Sequence, residues 1–228
     1  MSLYAIGDLH LSLGTDKPMD IFRGWTDYVG RIEKNWKNLI SDEDTVVLLG
    51  DISWAMKLED AVKDFQFIES LPGKKIILKG NHDYWWNTLT KMNGFLKENS
   101  FNSISFLFNN SYRVGDISIC GTRGWFFDAE KENVDKVILR EAGRLRASIN
   151  AGRKEGAQPY VFLHYPPLTN EQLCKPLFDV LSEEKITNCY YAHLHGAATN
   201  FSFNGVKNGV KFELLSADYL KFCPKFIK

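Results

Sequence analysis

At 228 residues with 44% hydrophobic side chains, the chain can bury a substantial core and falls within the size of one large domain. Its 28 basic and 28 acidic side chains balance, which excludes a global field that would draw it nonspecifically to nucleic acid or membrane. The four cysteines, Cys120, Cys174, Cys189 and Cys223, are scattered without a CxxC pair, which excludes a zinc-finger arrangement and predicts reduced thiols.

From the start of the chain, three segments share one pattern, an apolar run ending in a polar cluster. Leu3-Tyr4-Ala5-Ile6 runs into Gly7-Asp8, Val46-Val47-Leu48-Leu49 into Gly50-Asp51, and Ile76-Ile77-Leu78 towards Gly80-Asn81. Such runs read as buried strands. Between the first two, Trp25, Tyr28, Val29, Ile32, Trp36, Leu39 and Ile40 recur at helical spacing; between the next two, Leu58, Ala61, Val62, Phe65 and Ile68 do the same. Strand, helix, strand predicts a parallel sheet, and in such sheets ligands gather at the carboxyl ends of the strands, where Asp8, Asp51 and Asn81 stand.

A helix is predicted over 85–97, followed by strands at 103–107 and 117–120, a helix over 133–153 and a strand at 160–164. A helix over 171–184 and strands at 188–192 and 211–216 complete the pattern. Several of the later strands are close enough in sequence for antiparallel pairing, so a second, mixed sheet is expected. No repeat or interdomain linker is evident, and one domain over 1–228 is expected. No apolar run reaches membrane-spanning length and no leader-like stretch precedes the first strand, so the expected compartment is the cytoplasm.

All five histidines fall in these polar clusters: His10 in Gly7-Asp8-Leu9-His10, His82 in Gly80-Asn81-His82-Asp83, His164 after an apolar strand, and His193 with His195. For any single histidine a hydrogen-bonded structural role is the commoner reading, and Asp51 alone would serve as a helix cap. Five histidines at strand ends beside Asp and Asn point instead to one polynuclear metal site.

The ordered blocks Asp8-x-His10, Gly50-Asp51, Gly80-Asn81-His82-Asp83, His164 and His193-x-His195 resemble those of the calcineurin-like metallophosphoesterase superfamily. The resemblance implies an α/β fold, a double β-sheet sandwich flanked by helices. It implies two divalent metal ions, drawn from Mn, Fe or Zn, with Asp8, His10 and His195 on the first, Asn81, His164 and His193 on the second, and Asp51 bridging both. The final block is often Gly-His-x-His in the family; here Ala192 takes the place of Gly.

Two such ions roughly 3.5–4 Å apart polarise phosphate oxygens and activate water for an in-line displacement. With two carboxylates as the anionic ligands, the centre keeps a net positive charge that attracts phosphate. The resemblance therefore implies hydrolysis of phosphate mono- or diesters. His82, off the metals, is the expected proton donor to the leaving oxygen, with Asp83 orienting its ring. Arg123, in Gly121-Thr122-Arg123-Gly124-Trp125, offers a guanidinium fork for substrate phosphate, against an even prospect of a structural role.

Trp54, Tyr84, Trp85, Trp86, Trp125, Phe126 and Phe127 cluster beside the motifs; most are expected in the core, with Trp54 and Trp86 assigned to the substrate pocket. Lys136, Arg140 and Arg144 recur at four-residue steps, a spacing that suits nucleic-acid phosphates. A solvated helix face explains it more simply, because Glu130, Glu132, Asp135 and Glu141 dilute the charge. The segment 221–228 is expected to dock on the body rather than on a membrane. Protein phosphatases of the family commonly carry Asp-Arg-Gly after the second block, whereas this chain reads Asp51-Ile52-Ser53-Trp54, so a small soluble phosphoester such as a nucleotide is favoured. A nuclease is the alternative, and a non-catalytic metal-binding scaffold the alternative from outside enzymes.

Overall fold

The computed structural model describes residues 1–125 and 134–228. Phe126, Phe127, Glu130, Glu132 and Asn133 lie outside the described residues. In chain order the first half comprises β1 (Leu3–Ile6), α1 (Tyr28–Leu39), β2 (Thr45–Leu48), α2 (Val62–Ser70), β3 (Lys74–Ile77), α3 (Leu89–Glu98) and β4 (Ile104–Phe106). The second comprises β5 (Tyr112–Val114), β6 (Ile117–Thr122), α4 (Val134–Lys154), β7 (Gln158–Leu163), α5 (Lys175–Glu183), β8 (Asn188–Tyr191), β9 (Gly205–Lys207), β10 (Val210–Leu214) and β11 (Lys225–Phe226).

Two sheets result, in the orders β11-β1-β2-β3-β4 and β5-β6-β7-β8-β10-β9. Strand alternation decides which side chains meet between them. Leu3 and Ala5 of β1, Val47 of β2 and Ile76 of β3 face Ile117 and Ile119 of β6, Phe162 of β7 and Tyr190 of β8 in an inter-sheet core. The opposite face of the first sheet, Ile6, Val46, Leu48 and Ile77, packs on Ile32 and Trp36 of α1, Phe65 and Ile68 of α2, and Met92 and Phe95 of α3. The outer face of the second, Val161, Leu163, Tyr191 and Phe212, packs on Leu145 and Ile149 of α4 and Leu177 and Leu181 of α5. Helix, sheet, sheet, helix is the layered α/β sandwich.

The second sheet is mixed, as expected, but the later strands read from the sequence do not pair antiparallel with one another. The pairs β6–β7, β7–β8 and β8–β10 are parallel. Their connections are long enough for a crossover, two of them carrying α4 and α5. Antiparallel pairing is confined to the hairpins β5–β6 and β9–β10 and to β1–β11. Helix α3 begins later than predicted, because Trp85 and Trp86 belong to the preceding turn: the Trp85 indole donates to Asp83 (3.0 Å) and Trp86 N–H to the Asp83 carbonyl (3.1 Å). Thr88 then caps α3, its Oγ1 accepting from Lys91 N–H at 3.4 Å. Helix α5 also starts later, at a first turn containing Pro176.

All four cysteines are free thiols, with Cys120, Cys174 and Cys189 buried. The 221–228 segment forms β11, which pairs with β1 and packs Phe226 edge-on against Tyr4. No helix among the described residues is long and apolar enough to cross a membrane.

Candidate metal centre

The parallel strands end on one side of the molecule, and there the two sheets join. Gly7 N–H donates to the Leu215 carbonyl (2.8 Å) and Ala217 N–H to the Gly7 carbonyl (3.0 Å), stitching the end of β1 to the end of β10. A Cβ at Gly7 would lie 2.5 Å from the Cβ of Ala192. The missing side chain at residue 7 therefore makes room for the methyl group at residue 192. Asp8 and His10 follow β1, Asp51 follows β2, Asn81 and His82 follow β3, His164 follows β7, and His193 and His195 follow β8.

Four of these residues hold left-handed backbone conformations, Asp8 (φ 58°), His10 (φ 46°), Asp51 (φ 50°) and His193 (φ 76°). Non-glycine residues rarely adopt this region, and doing so turns the chain sharply enough to aim consecutive side chains inward. Gly80 allows the closest approach: a Cβ there would collide with Asp51 Oδ1 and the Asp51 backbone nitrogen.

The donor atoms form two groups, Asp8 with His10 and His195, and Asp51 with His164 and His193; within each group they lie within 4.8 Å of one another. His10 Nε2 and His195 Nε2 are 3.2 Å apart. Asn81 Oδ1 stands 2.6 Å from His164 Nε2 and 2.9 Å from His193 Nδ1. Asp51 Oδ2 lies 3.6 Å from His164 Nε2 and 3.9 Å from His10 Nε2, which puts this carboxylate between the two groups. Asp8 Oδ1 is buried without a hydrogen-bond partner, while Oδ2 accepts from His193 N–H at 2.9 Å.

These donors fit a pair of divalent cations. Burial pushes the Asp51 carboxyl up to about 8, and the negative charge of Asp8 adds to the shift. For Asp8, burial acts in the same upward direction but is outweighed by His195, His164 and His10, which hold the carboxyl below its usual range. Two buried carboxylates this close ionise together only with positive charge between them. Burial, followed by the neighbouring histidines His195 and His164 respectively, drives His10 well down and His193 down to about 3, so both imidazoles are neutral, the ligating form.

Two further contacts fix which ring nitrogens face the centre. His164 Nδ1 stands 2.9 Å from the Leu49 carbonyl and His195 Nδ1 stands 3.0 Å from Asp218 Oδ1. An acceptor at Nδ1 takes the ring proton and leaves the Nε2 lone pair directed at the centre. Asp218 also accepts from Gly196 N–H at 2.8 Å, which anchors it. The sequence reading missed Asp218, since it stands outside every motif block.

Asp83 has a different task from the one predicted. Its buried carboxylate accepts from the backbone N–H groups of Asp51 (2.9 Å), Ile52 (2.8 Å) and Gly80 (2.7 Å), as well as from the Trp85 indole. Both oxygens are occupied in tying the loop after β2 to the loop after β3, and His82 Nδ1 is left without a hydrogen-bond partner. Asp83 therefore does not orient the His82 ring. Instead His82 N–H donates to Asp51 Oδ1 at 2.7 Å, and its ring lies 4.6 Å from that of Trp54. Trp54 in turn stacks on His10 at 4.9 Å and 22°. Burial, then the charge of His164, lowers the His82 pKa, favouring its neutral form.

Arg123 and Trp86 stand apart from this cluster and together line a neighbouring cavity of 590 Å³. Trp85 is core, 1% exposed, and Tyr84 is 52% exposed. Trp125 packs against Tyr165. Of the basic residues on α4, Arg140 and Arg144 line the same cavity, while Lys136 is exposed.

Comparison with solved structures shows the same fold at low identity. A protein of unknown function from Aquifex aeolicus is 16% identical, with a TM-score of 0.51 and coverage of 99% of this chain and 95% of that one. The phosphopantetheinyl hydrolase of Mycobacterium tuberculosis is 14% identical, with a TM-score of 0.54 and the same coverage. No curated protein sequence matches the chain. The motif blocks that converge at the joined sheet ends fall within residues 1–197, the span matched by the model of one family, and the chain accordingly belongs to the calcineurin-like phosphoesterases.

Proposed function

We propose that the chain hydrolyses a small soluble phosphate ester at this centre, with Asp8, His10 and His195 holding one divalent cation, Asn81, His164 and His193 the other, and Asp51 reaching both. The observation that carries the reading is the convergence of both donor groups on Asp51 beside the unpartnered Asp8 Oδ1. When bound, the cations supply Lewis-acid polarisation of the phosphate oxygens and activation of water. The side chains supply the rest. Asp8 and Asp51 provide the anionic charge that retains the cations, the neutral amide of Asn81 adds a ligand oxygen without cancelling charge, and Asp218 holds the His195 ring.

His82 lies beside the donor cluster with Nδ1 unpartnered and its backbone fixed to Asp51, a geometry suited to giving a proton to the leaving oxygen. Trp54 walls the same side, its ring 4.6 Å from that of His82. A nucleotide is the favoured substrate class, since the flat aromatic wall that Trp54 adds beside His82 suits a base. The test is hydrolysis of a generic aryl phosphate monoester and the matching diester after chelation and reloading with Mn, Fe or Zn, alongside Asp51→Asn. Metal-dependent turnover that disappears in the variant is expected; an inert wild-type protein carrying two bound metals would refute the hydrolase.

A further inference from the structure

The 590 Å³ cavity beside the metal centre has a charge pattern unlike the rest of this neutral chain. Lys79, Arg123, Arg140 and Arg144 converge on it, and Glu141 is the single acid among its described lining residues. Glu141 is already engaged, accepting from Thr122 Oγ1 at 2.5 Å and Arg144 Nη1 at 2.6 Å. Lys79, Arg123 and Arg140 have no ion-pair partner among the described residues, and Arg123 Nε is buried without any hydrogen bond. Like charges gathered around one cavity repel one another, and an anion bound there would relieve the repulsion. The indole N–H of Trp86, on the same wall, is likewise buried and unpartnered. Thr88 and Leu89 bring the first turn of α3 to the rim, where the positive end of the helix dipole adds to the potential.

The cavity holds none of the donor residues, but two of its lining segments run directly into the loops that carry them. Lys79 is two residues before Asn81, so their Cα atoms are separated by about 7 Å at most. On the other side the Arg123 carbonyl accepts from the N–H of Tyr165, the residue after His164, at 2.9 Å.

We propose that this cavity binds a second phosphate group of the substrate, so that the enzyme selects small bisphosphorylated molecules, one phosphate at the metal centre and the other among Lys79, Arg123 and Arg140. The proposal rests on the hydrolase reading above. Guanidinium groups match phosphate oxygens in paired, charge-assisted hydrogen bonds, and Trp86 gives the connecting scaffold a flat apolar wall. A bounded cavity with exposed acids such as Asp135 close by on α4 favours a small molecule over a polymer.

The experiment measures inhibition of aryl phosphate hydrolysis by the Mn-loaded enzyme, using AMP, ADP and adenosine 3′,5′-bisphosphate as competitors. At least one of the two competitors with a second phosphate, the diphosphate ADP or the 3′,5′-bisphosphate, is expected to bind about tenfold or more tightly than AMP, as an added bidentate charge pair would give. That advantage should vanish in Arg140→Gln and persist in Lys136→Gln, a change one turn earlier on the same helix at a residue that does not line the cavity. Equal inhibition by all three nucleotides, or an advantage that survives Arg140→Gln, would overturn the proposal while leaving the hydrolase intact. If the metal-loaded wild type fails to hydrolyse the aryl ester, the hydrolase reading falls on its own, and calorimetric titration of the same nucleotides judges the cavity by the same criterion. Cleavage of a single-stranded oligonucleotide in preference to the small esters would assign the cavity to a polymer and overturn the small-molecule form.

Discussion

Asp218 is where a single carboxylate governs a ligand it does not replace. By accepting the Nδ1 proton of His195 it fixes the tautomer, and Asp218→Asn is expected to weaken metal binding about 10- to 100-fold while leaving the fold intact. Metal titration followed by circular dichroism of the same sample checks both halves; unchanged affinity would refute the role. His82 gives a contrasting case. His82→Ala should lower turnover about 10²- to 10⁴-fold with metal content unchanged, and metal analysis separates this from loss of a ligand. The convergence of the candidate donor residues was legible in the sequence because metal chemistry admits few side-chain types and the blocks follow strand ends. Asp218 was not, since its 23-residue separation from His195 carries no local pattern. Asp83 was misread for the same reason: adjacency to His82 suggested a partnership, but the carboxylate is turned towards backbone N–H groups that only the fold brings to it.

Helix α4 and strand β6 show how closely an element is fitted. At Gly152 a Cβ would collide with Ser118 Oγ and lie 2.8 Å from Cys120 Sγ, so the helix backbone rests on the strand. At Gly143 on the same helix a Cβ meets open space. Gly143→Ala should therefore stabilise by about 0.5–1 kcal/mol through helix propensity alone. Gly152→Ala has the same propensity gain and should still destabilise, by an overpacking cost of about 1–3 kcal/mol. Denaturant unfolding of the pair reads the difference, and equal shifts would exclude the close approach. Most elements were legible from apolar periodicity, including α1, where buried Tyr28, Ile32 and Trp36 fall on one face. The hairpin β9–β10 carried a signal that was passed over, an Asn208-Gly209 turn with both residues at positive φ. Strand β11 carried none: two exposed residues become a strand only because β1 offers an open edge.

Across the whole molecule, the candidate metal centre draws on both sheets, Asp8, Asp51 and Asn81 from one and His164, His193 and His195 from the other. Metal binding should thus stabilise the joined sandwich, by about 2.7 kcal/mol at a free metal concentration of 100 times Kd. Thermal unfolding with and without chelator measures it, and an unchanged Tm would count against the centre. Far from the centre, buried Lys75 supplies a pH dependence of its own. Desolvation pushes it down to about 8, partly offset by Glu69 and Asp42. Between that value and the ordinary 10.5 the folded protein holds fewer protons than the unfolded chain, so this contribution to stability rises with pH across the window. Wild-type and Lys75→Met unfolding curves taken near the two ends should diverge, and parallel behaviour would refute the assignment. The parallel run β1-β2-β3 of the first sheet was legible from strand and helix alternation. The pairing sense of the second was not, because sequence proximity suggested hairpins where crossovers run.

The left-handed backbones at Asp8, His10, Asp51 and His193 set heat tolerance against chemistry. Each such residue costs on the order of 1–2 kcal/mol that glycine would not. In a library selected for survival at high temperature in chelator, glycine and asparagine should accumulate at these four positions, and the hardiest descendants would be those that had lost the ability to turn over substrate. Natural selection holding the opposite choice at all four places would mean that the lineage is kept by what this centre does, at the expense of how long the protein lasts.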